Sequence, residues 1–328
     1  MSARSLVQVL SGGVLPHEAT GWNALIAVAR AELLLGSLAF RLEGAAVPAK
    51  VAAIFADARA QADQGHVAAL WEAEMARRAL AAVDCPVILL KGTAYAAAGL
   101  QAGMGRSIGD LDILVPRDRL DEVEAALLRA DWEWVKPDPY DDAYYRRWMH
   151  ELPPLIHKAR DRMIDVHHTI LPLTARVKPD SGGLIAASIA LGNGLRILSR
   201  EDMIVHAAAH LLADGDLAGG LRNLWDIHCL RAEFGSEAGS SLRLQARADR
   251  HGLGSQVARA IRLSDQLYGA GTEWLNSADP LVVRRLLARD GWGREIRPAT
   301  RLGFYVRSHW LRMPPAMLAR HLWAKARR

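Results

Sequence analysis

Asp110 and Asp112 stand two residues apart in "IGDLDILVP", inside what otherwise reads as a buried β-strand. Successive strand side chains point to opposite faces, so the two carboxylates share a face and repel each other unless a positive charge lies between them. A divalent metal supplies that charge most simply, which makes Asp110 and Asp112 candidate metal ligands. Upstream, "VILLKGTAYAAAG" runs from an apolar strand through Lys91, Gly92 and Thr93 into a small-residue helix. At such a glycine turn, backbone N–H groups can approach phosphate oxygens while carboxylates hold Mg²⁺ against the same phosphates. The pattern describes a place for a metal-bound triphosphate. A third carboxylate normally completes such a cage, so that two ions about 3.5–4 Å apart can activate an attacking oxygen and stabilise the leaving one. Asp165 in "RMIDVHHTI" is the candidate, as the downstream acid within a strand-like apolar run, whereas Asp161 falls in the turn before it.

Other residues near this pattern carry two readings each. Arg106, a forked cation four residues before Asp110, suits a phosphate clamp or an ion pair with Asp110. Lys91 could reach the same phosphates or be solvated at its strand end, and Ser107 could add a hydroxyl contact or form a turn. His167 alternates to the face of Asp165, where it would orient that carboxylate or the nucleotide, or serve as a hydrogen-bonded structural histidine. Asp202, His206, His210 and Asp214 recur every four residues and so share a helix face. That ladder lacks the glutamate of a zinc-peptidase HExxH helix, and its alanine surroundings favour helix packing. No Walker lysine motif, G-x-S-x-G elbow or G-x-G-x-x-G turn competes.

The elements that must position these residues are legible from periodicity. Apolar spacing near 3.6 predicts two or three helices between Gly21 and Ala82, broken near Gly44 and Pro48. A strand in "CPVILLKG", a short helix, the strand "LDILVP", and an acidic-started helix in "RDRLDEVEAALLRA" follow. "WEWV" reads as a further strand, and "PPLIHKA" and "RMIDVHHTI" as a hairpin turning at residues 159–162. Helix returns from Ser199. The expected organisation is an N-terminal helical region over residues 1–83, a palm over 84–176, and a C-terminal helical domain with a basic tail over 177–328.

Composition agrees with a folded chain: 328 residues, 51% apolar and 23% charged. No apolar run approaches a membrane span, and no leader segment is evident at the N-terminus, so a cytoplasmic location is expected. Cys85 and Cys229 lie far apart without CxxC spacing and are expected as buried thiols. Of the net charge of +5, residues 301–328 contribute seven basic side chains and no acid, leaving a net −2 on the rest. The tail could therefore meet an anionic partner such as a peptide, RNA or membrane surface.

"VILLKGTAYAAAG…GMGRSIGDLDILV", "IDVHHTI" and the later "EDMIVHAAAHLL…LRNLWDIHCL" together resemble the uncharacterised nucleotidyltransferase family of the DNA polymerase β-like superfamily. The resemblance spans roughly residues 20 to 315, with its specific part between 87 and 170. It implies an α+β fold with a small mixed-sheet palm, two Mg²⁺ (or Mn²⁺) ions, and transfer of a nucleoside monophosphate from NTP, ATP being the expected one, with pyrophosphate leaving. Carried over, Asp110 and Asp112 would ligate metal, Asp165 would bind the catalytic metal or take the acceptor's proton, and Gly92 and Thr93 would contact phosphate. The usual Gly-Ser turn is Gly92-Thr93 here, and sixteen residues separate Thr93 from Asp110, closer to the abortive-infection type. The expected partners are NTP and a hydroxyl acceptor, whether small molecule, peptide or protein. The alternative is a noncatalytic nucleotide- or partner-binding regulator on the same fold; three retained acids argue against it.

Overall fold

The computed structural model describes residues 3–269 and 279–312, with Pro314, Pro315, Leu318 and Trp323 beyond them. Four helices open the chain: α1 (Ala3–Leu10), α2 (Ala19–Ala31), α3 (Leu35–Arg41) and the long α4 (Ala49–Ala79). The sheet region follows, with β1 (Val87–Leu89), α5 (Lys91–Ala97), β2 (Leu111–Leu114), α6 (Leu120–Arg129), β3 (Trp132–Trp134), α7 (Pro139–Trp148), β4 (Leu155–His157) and β5 (Met163–His167). Then come α8 (Ser181–Ala186), β6 (Ile189–Ala190) and β7 (Leu195–Ile197). The helices α9 (Arg200–Ala209), α10 (Gly220–Phe234), α11 (Ser240–Arg250), α12 (Gly254–Tyr268), α13 (Pro280–Leu286) and α14 (Pro298–Arg312) complete the order.

The helix ends follow from local chemistry. Ser199 caps α9 by accepting from the Asp202 N–H at 3.2 Å, and Asp180 caps α8 by accepting from the Gly183 N–H at 2.8 Å. Asp121 and Glu122 open α6 and Arg129 closes it, which matches the helix dipole at both ends.

One seven-stranded mixed sheet runs in the order β3-β4-β5-β2-β1-β7-β6. At its centre β2 pairs parallel with β5 and antiparallel with β1. Every residue of β1 and β2 is buried, as strands covered on both faces must be. Buried apolar residues from α1 through the sheet to α14 form one continuous core.

The N-terminal helices, the β4–β5 hairpin and the acidic-started helix lie where the sequence places them. Two features differ from expectation. Strands β6 and β7 come from the segment expected to be helical, and β7 pairs parallel with β1; they are too short, and split by "LGNG", to show a period. Helix α7 was not expected, because "PYDDAYYRRW" is polar and aromatic without an apolar stripe. Cys229 is buried but Cys85 only half so, and neither is in a disulfide. Most of the basic tail beyond Arg312 lies outside the described residues, which include no helix long and apolar enough to cross a membrane.

Candidate active site

The register of two parallel strands assembles the acids. Asp112 on β2 lies opposite Asp165 on β5, and Asp110 immediately precedes β2. Carboxylate oxygens of Asp110, Asp112 and Asp165 lie within 4.8 Å of one another. Asp110 is exposed, Asp165 half-buried and Asp112 only 3% exposed, so the cluster opens to solvent from the Asp110 side.

Asp112 and Asp165 ionise in opposite senses although they face each other across one strand pair. Burial pushes both acids up. At Asp112 the Lys91 charge and the His167 hydrogen bond outweigh that penalty and hold the carboxyl well below its usual range. Lys91 Nζ lies 2.6 Å and His167 Nε2 3.0 Å from Asp112 Oδ1. At Asp165 burial is reinforced by the negative charges of Glu151 and Asp112, and the carboxyl is pushed up to about 7. Lys91 itself is disfavoured by burial, yet Asp112 more than compensates and raises its pKa above the usual lysine value.

The remaining sequence candidates take specific places. Lys91 opens α5 in a left-handed conformation, φ +48°, turning its side chain onto Asp112. Gly92 follows because a Cβ there would meet Arg106 Nε at 2.6 Å. Thr93 is buried, and Ser107 lies exposed in a cleft of about 470 Å³ shared with Gly36, Gln61 and Gly105. Arg106 pairs with Asp226 of α10, not with Asp110, and lies over the Tyr95 ring at 5.7 Å. His167 shares the parity of Asp165, but its ring reaches diagonally across the strand pair to Asp112 instead.

Among the described residues the ladder of Asp202, His206 and His210 forms no group of metal ligands, and the Asp214 side chain lies outside them. Asp202 pairs with Arg247 and lies 3.2 Å from His251 Nε2, the ion-paired packing that the alanines suggested. His206 is buried, and burial together with the Lys91 charge drives its pKa well below the usual histidine value. His210 begins a π-helical turn over His210–Asp214.

Two contributors were missed. Glu151 and His150 precede "LPPL" in a segment without periodicity, and backbone pairing with the end of β5 brings them to the site through the Glu151–His167 bridge. The other is a buried network: Arg222 Nη1 donates to Ser37 Oγ at 2.6 Å, its Nε to Asp226 at 2.9 Å, and Arg106 completes it on Asp226. Only the "HE" dipeptide beside two prolines could have drawn attention to Glu151.

The all-oxygen cluster at the centre of the mixed sheet, beside a strand-to-helix turn, is a group that could hold a divalent metal ion. Residues 18–269 match the family described as uncharacterised nucleotidyltransferase, and the chain belongs to it. Nucleotidyl transfer is therefore the class of reaction of this protein. No curated protein matches the chain. Among similar solved structures is that of the antibiotic-resistance factor ANT(2'')-Ia in solution, 13% identical, with a TM-score of 0.36, covering 58% of this chain and 95% of that one.

Proposed function

We propose that the protein transfers a nucleoside monophosphate from NTP, ATP foremost, to a hydroxyl on a small molecule, peptide or protein, with Mg²⁺ or Mn²⁺ held by Asp110, Asp112 and Asp165. The observation that carries this is the register of β2 and β5, which gathers three carboxylates within 4.8 Å. Their oxygens are the hard donors that Mg²⁺ selects, and the elevated Asp165 reports crowded negative charge that a divalent cation would relieve. Bound there, the ion supplies charge neutralisation for a triphosphate under attack.

The chain's own residues do the rest. Asp112 stays ionised through Lys91 and His167 and keeps its place on the sheet. Asp165, half-buried and paired in register with Asp112, is placed to accept a proton from an attacking hydroxyl. The acceptor oxygen bonds to the α-phosphorus, the bond to the bridging oxygen breaks, and pyrophosphate leaves. Lys91, Gly92, Thr93, Arg106 and Ser107 are proposed as the nucleotide-binding set, with Arg106 released from Asp226 when it meets phosphate, whereas His167 is committed to Asp112.

Pyrophosphate release with each NTP and candidate acceptors tests this reading. Asp165→Ala should keep NTP affinity within about tenfold, about 1.4 kcal/mol, yet lose transfer by on the order of 10³ or more. Full transfer by that variant would overturn the role of Asp165. The noncatalytic reading has one observation in its favour: Lys91 already neutralises Asp112. It requires NTP affinity indifferent to Mg²⁺ in the wild type, which calorimetry would detect.

A further inference from the structure

Beside the aspartates lies a second group of potential ligands with different chemistry. Residues 150–152 run antiparallel to the end of β5: the Leu152 N–H donates to the Val166 carbonyl at 2.9 Å, and the His168 N–H to the His150 carbonyl at 2.9 Å. This pairing brings ligand atoms of His150, Glu151 and His167 within 4.8 Å of one another. One carboxylate oxygen, Glu151 Oε2, lies 3.4 Å from His167 Nδ1 and 3.6 Å from His150 Nε2. The imidazole centroids are 5.2 Å apart with planes inclined by 32°. The side chains of His150, Glu151 and His167 are 12%, 18% and 3% exposed, so most of the water that could separate the donors is excluded.

Asp112 is ion-paired with Lys91, and its Oδ1 lies 3.0 Å from His167 Nε2, on the side of the ring away from Glu151. The other ring nitrogen, Nδ1, faces Glu151 Oε2 across 3.4 Å in a poorly exposed site. A histidine that gives its outer N–H to a carboxylate while its other nitrogen faces two further ligands has the geometry of a carboxylate–histidine–metal relay. On the other ring, His150 Nδ1 is buried without a hydrogen-bond partner among the described residues.

We propose that His150, Glu151 and His167 form a second metal site, for a divalent transition metal of the zinc and cobalt kind. The site is separate from the oxygen-only aspartate cluster and joined to it through Asp112. Two imidazoles and one carboxylate select such ions over Mg²⁺ or Ca²⁺, and three protein donors leave positions open for water or another ligand. The proposal goes beyond nucleotidyl transfer and does not depend on it, because its readout is metal binding.

The experiment uses the full chain stripped with chelator and then titrated with Co²⁺ in excess Mg²⁺, which occupies the aspartates. Visible d–d absorbance and bound metal by mass spectrometry are read together. The expected result is a single equivalent of Co²⁺, displaced by Zn²⁺, with bands that report nitrogen ligation. Glu151→Gln, nearly isosteric, and His150→Ala should each weaken binding by on the order of a hundredfold, whereas Asp110→Asn and Asp165→Asn should leave it within about threefold. Far-UV circular dichroism checks the fold of each variant, and Glu151→Gln alone decides if His150→Ala does not fold. Three results would overturn the site: no Co²⁺ bound in excess Mg²⁺, bound Co²⁺ without nitrogen-ligation bands, or binding lost with the aspartate variants but kept with Glu151→Gln.

Discussion

Asp165 carries a pH signature that separates it from the groups around it. Its folded-state pKa of about 7 lies above the model-peptide value of 3.8, so between the two the folded chain holds a proton that the unfolded chain has released. Its contribution to stability is therefore full below about pH 4 and lost as pH rises through about 7. The histidines oppose this slope. Burial lowers His150 and His206 well below the usual histidine value and His168 to about 4, so the unfolded chain binds more protons there and stability rises with pH toward about 6.5. Asp112 adds no slope in that window, because it is ionised in both states across nearly all of it. The difference between wild type and Asp165→Asn isolates the one residue, since Asn mimics the protonated acid. In chelator, the melting temperature of Asp165→Asn relative to wild type should rise steadily from about pH 5 to about pH 8, and saturating Mg²⁺ should shrink or reverse the gain. A difference that stays flat with pH would show that Asp165 is not the elevated group.

The segment between α5 and β2 delivers Asp110 to the cluster, and two glycines fix its course. Gly105 has φ +67°, and a Cβ on it would lie 2.2 Å from the Gly36 carbonyl carbon, while one on Gly36 would lie 2.3 Å from the Gly105 carbonyl oxygen. The backbones of α3 and this loop therefore touch directly, and Ser37 Oγ donates to the Met104 carbonyl at 3.0 Å. Gly105→Ala must move one backbone off the other. It should cost about 2–4 kcal/mol in a urea titration and lower transfer even where the variant remains folded, because Asp110 shifts with the loop. Unchanged stability would mean that α3 yields freely. The sequence made part of this arrangement readable. The alternation in "DLDILV" gave Asp110 and Asp112 a common face, and an apolar run identified Asp165 as a strand acid, both consequences of a period that any strand imposes. Arg106 shows where such reading stops: its partner Asp226 lies 120 positions away, and no local pattern encodes a contact between a loop and a distant helix. Glu151 escaped for the same reason, since it reaches the cluster through an isolated bridge and not through a periodic strand.

At the scale of the whole chain, charge is divided unevenly. Residues 1–300 carry a net −2, and all the net positive charge lies in the final twenty-eight residues. Helix α14, the described start of that stretch, is committed to the body: Arg307 Nη2 donates to the Leu212 carbonyl at 3.0 Å, and Phe304 and Ser308 are buried. The four basic residues after Pro315, namely Arg320, Lys325, Arg327 and Arg328, lie outside the described residues and are the candidates for contact with an anionic partner. Ordinary salt screens such contacts over about 8–10 Å, so they act on a partner that touches the tail. Replacing all four with Gln should weaken binding to an anionic peptide, RNA or vesicle and flatten its dependence on salt, each lost phosphate contact lowering the slope by about one unit. Affinity for NTP at the aspartate cluster should remain within about twofold, because the substitutions alter neither its ligands nor the packing of Leu318. A large loss of NTP affinity would instead show that the basic end closes over the nucleotide, making the tail part of the active site.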